Sequence, residues 1–292
     1  DYNDVKSVDG IKIVHHNIFT NKIAYINMSF DTKCVPDELI PYMGLLGSTL
    51  SLMDTKNYTY PELTNEININ CGGLATGTAL YSDKVDFSKN TIVYEVKSKA
   101  LYEKVPFVLG MMEEIMYNTR FDDYKRLKEI IARIKSRLEA SLMGQGHSIA
   151  MLECCAQFSE SAYYSDILRG YKYYEFIKKL DEEFEQNKTQ IVDKLNKLVG
   201  YIFNKDNVIV SLTADDEGYD CFVKALSAKS CNIKDEHYNT AVRSFIPVNV
   251  KTGYTSASQV QYVARCGNFV KDGYKYTGAL KVLSLIHISE PT

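Results

Sequence analysis

The order in which strand-like and helix-like stretches follow one another between Ile11 and Tyr117 restricts the fold of this chain more than any other feature. Ile11 to Phe19 and Ile23 to Phe30 are rich in β-branched and aromatic residues and flank Thr20-Asn21, a tight turn, so they read as a pair of strands. A helix follows, opened by Pro36-Asp37-Glu38, because proline is tolerated in a first turn and acids are favoured there by the helix dipole. Leu39, Met43, Leu46 and Leu50 recur along it at helical spacing, and Leu45 and Met53 widen the stripe. Thr59-Tyr60-Pro61-Glu62 has the form of a capping box and starts a second helix, which Gly72-Gly73 ends. Leu74 to Tyr81 and Thr91 to Lys97 read as strands, and a helix runs from Leu101 to Tyr117. The order β-β-α-α-β-β-α implies an α+β fold: a mixed or antiparallel sheet with helices gathered on one face.

The middle of the chain is helical. Leu127, Ile130, Ile131, Ile134, Leu138 and Leu142 form an apolar stripe on a helix beginning near Asp122 and broken by Gly144 and Gly146. Further helices are expected over His147 to Tyr163, Tyr171 to Leu180 and Glu182 to Phe203. Asn207 to Thr213 returns to strand, and Asp215-Asp216-Glu217 opens a helix ending near Ser227. Residues 1–228 are thus read as one α+β domain with a helical region, and residues 229–258, where periodicity weakens, as a linker. Beyond it, Gln259 to Arg265 alternates like a strand and Tyr274 to Leu283 begins a helix. Val260-Gln261-Tyr262-Val263 followed by Tyr276-Thr277-Gly278 echoes Ile23-Ala24-Tyr25-Ile26 followed by Tyr42-Met43-Gly44, so residues 259–283 are expected to open a second, homologous domain.

Composition excludes several classes. Of the 292 residues 45% are hydrophobic and 24% charged, and the net charge of -3 leaves no electrostatic footprint for nucleic acid. The run Lys125-Arg126-Leu127-Lys128 lies among Asp122, Asp123 and Glu129 and reads as a solvated helix face. No stretch approaches the ~20 apolar residues of a membrane span, and no charged-then-apolar leader opens the chain. Seven cysteines without a CxxC pair point to a reducing compartment, the cytoplasm or alternatively the mitochondrial matrix or another organelle lumen. Cys154 and Cys155, adjacent on a helix, are expected to face different sides.

Phe30-Asp31 through Gly73, with Pro41-Tyr42-Met43-Gly44-Leu45-Leu46 and Tyr60-Pro61-Glu62-Leu63, resembles the third domain of presequence-protease-type members of the pitrilysin/insulinase family of zinc metallopeptidases. Gly144-Gln145-Gly146-His147-Ser148-Ile149-Ala150 and Tyr173-Tyr174-Glu175-Phe176 resemble the helical region that follows it, and Tyr276 to Leu283 the opening of the fourth domain. The resemblance implies the C-terminal, non-catalytic half of an enzyme that degrades unstructured peptides inside a two-half chamber. Its zinc would be held by an H-x-x-E-H helix in the N-terminal half, whose motif Glu activates water. On the equivalent helix here, Gly47 and Ser51 fall where the two His would stand and Leu50 falls on the Glu. The chain is therefore expected to bind no zinc and to be inactive alone, its partners being the peptide substrate and the N-terminal catalytic half. The Arg and Tyr that the family's last domain offers to substrate would fall beyond Leu283. Residues 284–292 resemble translated sequencing-adapter read-through, which deprives His287 of functional weight. The alternative reading is a non-catalytic structural or core subunit of the same superfamily.

Remaining candidates have plain structural readings. His147 is a helix-terminal His, and His15 and His16, neighbours in a strand, point to opposite faces. Glu113-Glu114 and Asp215-Asp216-Glu217 read as solvated helix faces, since neighbours on a helix diverge by ~100°. Gly72-Gly73 and Gly77 precede a strand rather than a helix N-terminus and do not form a phosphate cradle. The 22 tyrosines are expected at core edges with their hydroxyls wet.

Overall fold

The computed structural model describes residues 3–83, 86, 89–228, 233–255, 260–270, 272–275, 277–279 and 282. The strands are β1 (Asn3–Val8), β2 (Ile11–Asn17), β3 (Ile23–Asp31), β4 (Leu74–Ser82), β5 (Asn90–Leu101) and β6 (Val208–Ala214). They form one mixed sheet in the order β1-β2-β6-β3-β5-β4. The helices are α1 (Ile40–Thr49), α2 (Tyr60–Asn70), α3 (Val105–Tyr117), α4 (Tyr124–Gly144), α5 (Gly146–Ala156), α6 (Glu160–Arg169), α7 (Tyr171–Glu182), α8 (Phe184–Ile202) and α9 (Asp216–Ser227).

Strand alternation builds the core. Ile11, Ile13 and His15 of β2, Ala24 to Phe30 at every second position of β3, and Val208, Val210, Leu212 and Ala214 of β6 are buried on one face. Leu45, Leu46, Ile115, Met112 and Phe222 cover that face from α1, α3 and α9. The α+β architecture with helices on one face is as expected. The pairing is not: β2 and β3 do not pair, because β6, arriving from the far end of the domain, lies between them. It runs parallel to β2 and antiparallel to β3, with Met28 opposite Val210. The turn at Asn21 and Lys22, both at positive φ, therefore bridges two separated strands.

Several boundaries differ from the sequence pattern for local reasons. β1 has no counterpart in that pattern, yet Val8 pairs with Ile11 across Asp9-Gly10, whose φ values of 51° and 82° suit a tight hairpin turn. Leu101 ends β5, and α3 begins at Val105 with Pro106 in its first turn. The helix expected over 147–163 is two: α5 ends at Ala156, and Ser159, extended and accepting from the Ala162 N–H, caps α6. Thr59 and Glu62 form the expected capping box.

Residues 233–255 have no helix or extended strand but are fastened to the domain. Ala241 N–H donates to Lys33 O at 2.9 Å and Val248 N–H to Gln157 O at 2.8 Å. The Arg243 guanidinium donates to Thr32 O, to Thr32 Oγ1 at 3.2 Å and to Val35 O at 3.3 Å. The strand expected over 259–265 is absent among residues 260–265; a strand needs a neighbour, and no sheet edge lies beside this segment, which follows α5 instead. The tail 284–292 with His287, Cys231, and Tyr276, Leu280, Lys281 and Leu283 of the helix expected from Tyr274 lie outside the described residues, whereas Gly278, Ala279 and Val282 are helical.

Candidate functional site

The helix α1 occupies the place where the resemblance puts a zinc helix, and its glycines act as contact points. A Cβ at Gly44 would stand 2.7 Å from Tyr173 Cε2 and 3.0 Å from Leu168 O. One at Gly47 would stand 3.2 Å from Gly77 Cα on β4 and 3.7 Å from the Tyr94 hydroxyl. The helix stops at Thr49; Leu50 caps it and is buried, and Ser51 takes φ 68°. Zinc does not fit here. Position 47 has no room for a ligating side chain, and Ser51 has already left the helical face that a turn-spaced ligand pair needs. Tyr94 and Tyr173 are buried with their hydroxyls, which corrects the expectation of tyrosines wet at core edges.

Among the described residues, no helix lies over the centre of the opposite face of the sheet. Tyr25, Asn27, Lys97, Lys99, Ser211 and Thr213 face outward there, and with Gly72 to Ala75 they border a concavity of ≈ 470 Å³. At its side Glu95, only 6% exposed, accepts from Asn27 Nδ2 at 3.0 Å and the Tyr81 hydroxyl at 2.9 Å, and pairs with Lys97 at 2.6 Å. Burial opposes the charge on Glu95, but Lys97, Asn27 and Tyr81 outweigh it and hold the carboxyl below its ordinary range. Donating to Glu95 in turn pushes the Tyr81 phenol up. The period-2 spacing of Glu95, Lys97 and Lys99 along β5 is the signal that could have identified this polar face from sequence.

The other candidates separate into structural roles. His15 is buried, with Nε2 2.9 Å from Ala214 O, whereas His16 turns outward to Asn3 Oδ1 and Ser211 Oγ, so the two do face opposite sides. His147 is exposed in the first turn of α5, its ring 6.0 Å from Tyr262. Asp215 caps α9 by accepting from the Gly218 N–H, and this bond, with one from Tyr102, depresses its carboxyl. Gly72 and Gly73 lead into β4, as expected of a glycine pair before a strand.

Two further expectations are overturned. Glu114 is buried rather than solvated, accepting from Asn57 N–H at 3.0 Å, Asn57 Nδ2 at 2.8 Å and Asn118 Nδ2 at 2.7 Å. Arg126 is not part of a solvated face: its guanidinium stacks 3.9 Å over Tyr60 and donates to Leu52 O at 3.0 Å. Cys154 and Cys155, adjacent on α5, both have Cys266 as a neighbour. Among the described residues, Asp206, Asp235 and His237 place ligand-type atoms within 4.8 Å of one another, all exposed on the surface. Glu153 and Asp166 are neighbouring carboxyls: Asp166 is fully buried with Oδ2 3.4 Å from Lys172 Nζ, and the Tyr254 hydroxyl donates to Glu153 Oε1 at 3.2 Å.

Comparison with known proteins agrees with this architecture. Residues 1–180 match a family model whose description is that of a region associated with peptidase family M16, subfamily C. Protein HypA of Clostridium perfringens (strain 13 / Type A) is 36% identical over 286 residues, covering 96% of this chain and 29% of that protein. Presequence protease 1, chloroplastic/mitochondrial, of Arabidopsis thaliana is 26% identical over 290 residues, covering 98% of this chain and 26% of its own length. The mitochondrial presequence protease of Drosophila melanogaster is 28% identical over 204 residues, 70% of this chain and 20% of that protein. The chain thus spans less than a third of these curated relatives. A conserved protein from Enterococcus faecalis V583 shares the fold, with a TM-score of 0.57 at 11% identity over 82% of this chain and 54% of its own. This chain belongs to the family of regions associated with M16 peptidases of subfamily C, and corresponds to part of the C-terminal half of presequence-protease-branch, pitrilysin-type peptidases.

Proposed function

We propose that this chain is the non-catalytic half of a zinc endopeptidase that degrades unstructured peptides, and that its open sheet face forms part of the chamber wall. One observation carries the reading: the helices cover one side of the sheet and leave a polar concavity, bordered by Tyr25, Asn27, Lys97 and Lys99, on the other. Hydroxyl, amide and ammonium groups spaced along strands suit the backbone and side chains of an extended peptide, and they provide no nucleophile or activated base.

In this reading zinc and the water-activating Glu belong to the N-terminal catalytic half, and the chain alone does not hydrolyse peptides. Gly47, Leu50 and Ser51 have no part in the chemistry. The partners are a peptide substrate and the catalytic half, in a reducing compartment, the cytoplasm or an organelle lumen; the Arabidopsis and Drosophila relatives are named for chloroplast and mitochondrion. Among the described residues no helix is long and apolar enough to cross a membrane.

The test is hydrolysis of an unstructured peptide by a zinc-helix half, measured with and without this chain. Activity should require both, and Tyr25→Ala with Lys99→Glu should raise KM while leaving kcat nearly constant. Equal rates with and without the chain would contradict the reading, as would peptide hydrolysis by the chain alone.

A further inference from the structure

Three thiols that neither the wall reading nor the fold requires meet on one side of the helical region. Cys154 and Cys155 lie near the end of α5 and Cys266 lies on the segment that follows it, more than a hundred residues later in the chain. The segment is held along the helix from end to end. Tyr262 sits against Gly146, where an added Cβ would come within 2.5 Å of its ring. Cys154 Sγ lies 3.8 Å from Ala264 O, and Cys266 Sγ lies 3.8 Å from Met151 O. Cys266 thus neighbours both Cys154 and Cys155. All three are half-buried and free.

We propose that Cys266 and the α5 thiols form a covalent modification site, which takes a low-molecular-weight disulfide as co-reactant and closes an intramolecular disulfide between Cys266 and Cys154 or Cys155. Disulfide formation needs sulfurs that approach without backbone rearrangement, and the contacts of Cys154 with the Cys266 segment and of Cys266 with α5 place both partners side by side. The step balances by two exchanges. A thiolate of the cluster attacks the small disulfide, forming a mixed disulfide and releasing one small thiol. A second cluster thiolate then attacks the protein sulfur, the mixed bond breaks, and the second small thiol leaves. The small disulfide gains two electrons, and the two protein thiol protons end on the two released thiols. Burial pushes the Cys154 and Cys266 thiols up, which slows attack by either of these two. The second α5 thiol provides an exchange partner one residue away, so the bridge can form from either. Its consequence is mechanical: the segment 260–266 becomes tied to α5.

The experiment incubates the full chain with oxidised glutathione, quenches with acid, blocks free thiols with N-ethylmaleimide and maps peptides without reduction. The expected result is the loss of two blockable thiols and one linked pair, the peptide of Cys154-Cys155 joined to that of Cys266. Cys154→Ser and Cys155→Ser should each retain the link, Cys266→Ser and the double α5 variant should lose it, and Cys221→Ser should leave it unchanged. The wild-type map is informative even if a variant fails to fold. Glutathione adducts on Cys266 without the link, a link from Cys266 to any other cysteine, or a link that survives in Cys266→Ser would overturn the proposal.

Discussion

Replacing Glu114 by alanine tests whether a buried carboxylate holds the approach to α2. Glu114 is 6% exposed on α3 and receives the Asn57 N–H, the Asn57 amide and the Asn118 amide. Bonds to an ionised acceptor are worth about 1.5–3 kcal/mol each when intact. Not all of that is lost on truncation. Asn57 is exposed and Asn118 half-buried, so both amides can turn to water, whereas the Asn57 N–H is fixed by the backbone. Loss of one fixed bond plus part of two others comes to about 2–3 kcal/mol, which for a domain of this size lowers Tm by roughly 5–10 °C.

Acid dependence provides a second, independent readout. Burial pushes the Glu114 carboxyl up, but hydrogen bonds from Thr55, Asn118 and Asn57 outweigh it, and its value in the fold lies below the ordinary one. The unfolded chain therefore binds the proton first as pH falls. Stability from these bonds is complete above the ordinary glutamate range and is lost as pH drops through the folded value. Urea titrations followed by circular dichroism at several pH values measure both effects. Glu114→Gln keeps the shape but turns an amide donor toward donors, so it should cost less than the alanine and flatten the acid limb. An alanine variant within about 0.5 kcal/mol of the parent, or a glutamine variant with an unchanged acid limb, would refute the anchoring role.

Three further outcomes follow from the packing. Glu153 is raised by burial and by the neighbouring Asp166 carboxyl, so its contribution is complete below the ordinary glutamate range and fades as pH rises through the folded value; Glu153→Gln, which mimics the protonated form, should remove that loss in urea titrations up to pH 8. Gly44→Ala gains about 1 kcal/mol of helix propensity but forces contact with buried Tyr173 and with Leu168 O, and overpacking of about 1–3 kcal/mol should leave it net destabilised in thermal melts. Arg243→Ala removes the guanidinium that ties residues 233–255 to Thr32 and Val35, and chymotryptic cleavage between Tyr238 and Tyr254 should accelerate roughly tenfold with little change in the domain's Tm.

Elements whose evidence is local were legible in the sequence. The capping box at Thr59 and Glu62, the apolar stripe of α4 and the alternation of β3 and β6 depend on neighbours within a turn or a strand. Asp9-Gly10 was equally local, and the hairpin it closes could have been read from that dipeptide. Partners distant in sequence were not legible. No pattern in Ile11 to Phe30 announces that β6, nearly two hundred residues later, will separate β2 from β3. Glu114 and Arg126 look like members of charged runs, and only Asn57 and Tyr60, brought in from another element, turn them into buried anchors. The outward polar row of β5 was visible as an alternation, but a functional meaning required knowing which face the helices leave open.

The helix α1 differs in its backbone from what the zinc helix implied by the resemblance would need. A zinc helix needs two ligands one turn apart on a continuous helical face, with room above it for metal and substrate. In this chain the face at Gly47 is already filled by β4, whose Gly77 is the other half of a close backbone contact. Thr76 Oγ1 donates to Gly47 O at 3.2 Å, so the strand is bonded to the helix at the residue where the first ligand would stand. One turn later the backbone has left the helix: Leu50 turns extended into the core and Ser51 adopts a left-handed conformation. The departure therefore lies in the backbone as well as in the side chains. Histidines placed at 47 and 51 would meet a strand at one position and a non-helical residue at the other. The same crossing of helix over sheet that could present a metal serves here to close the core.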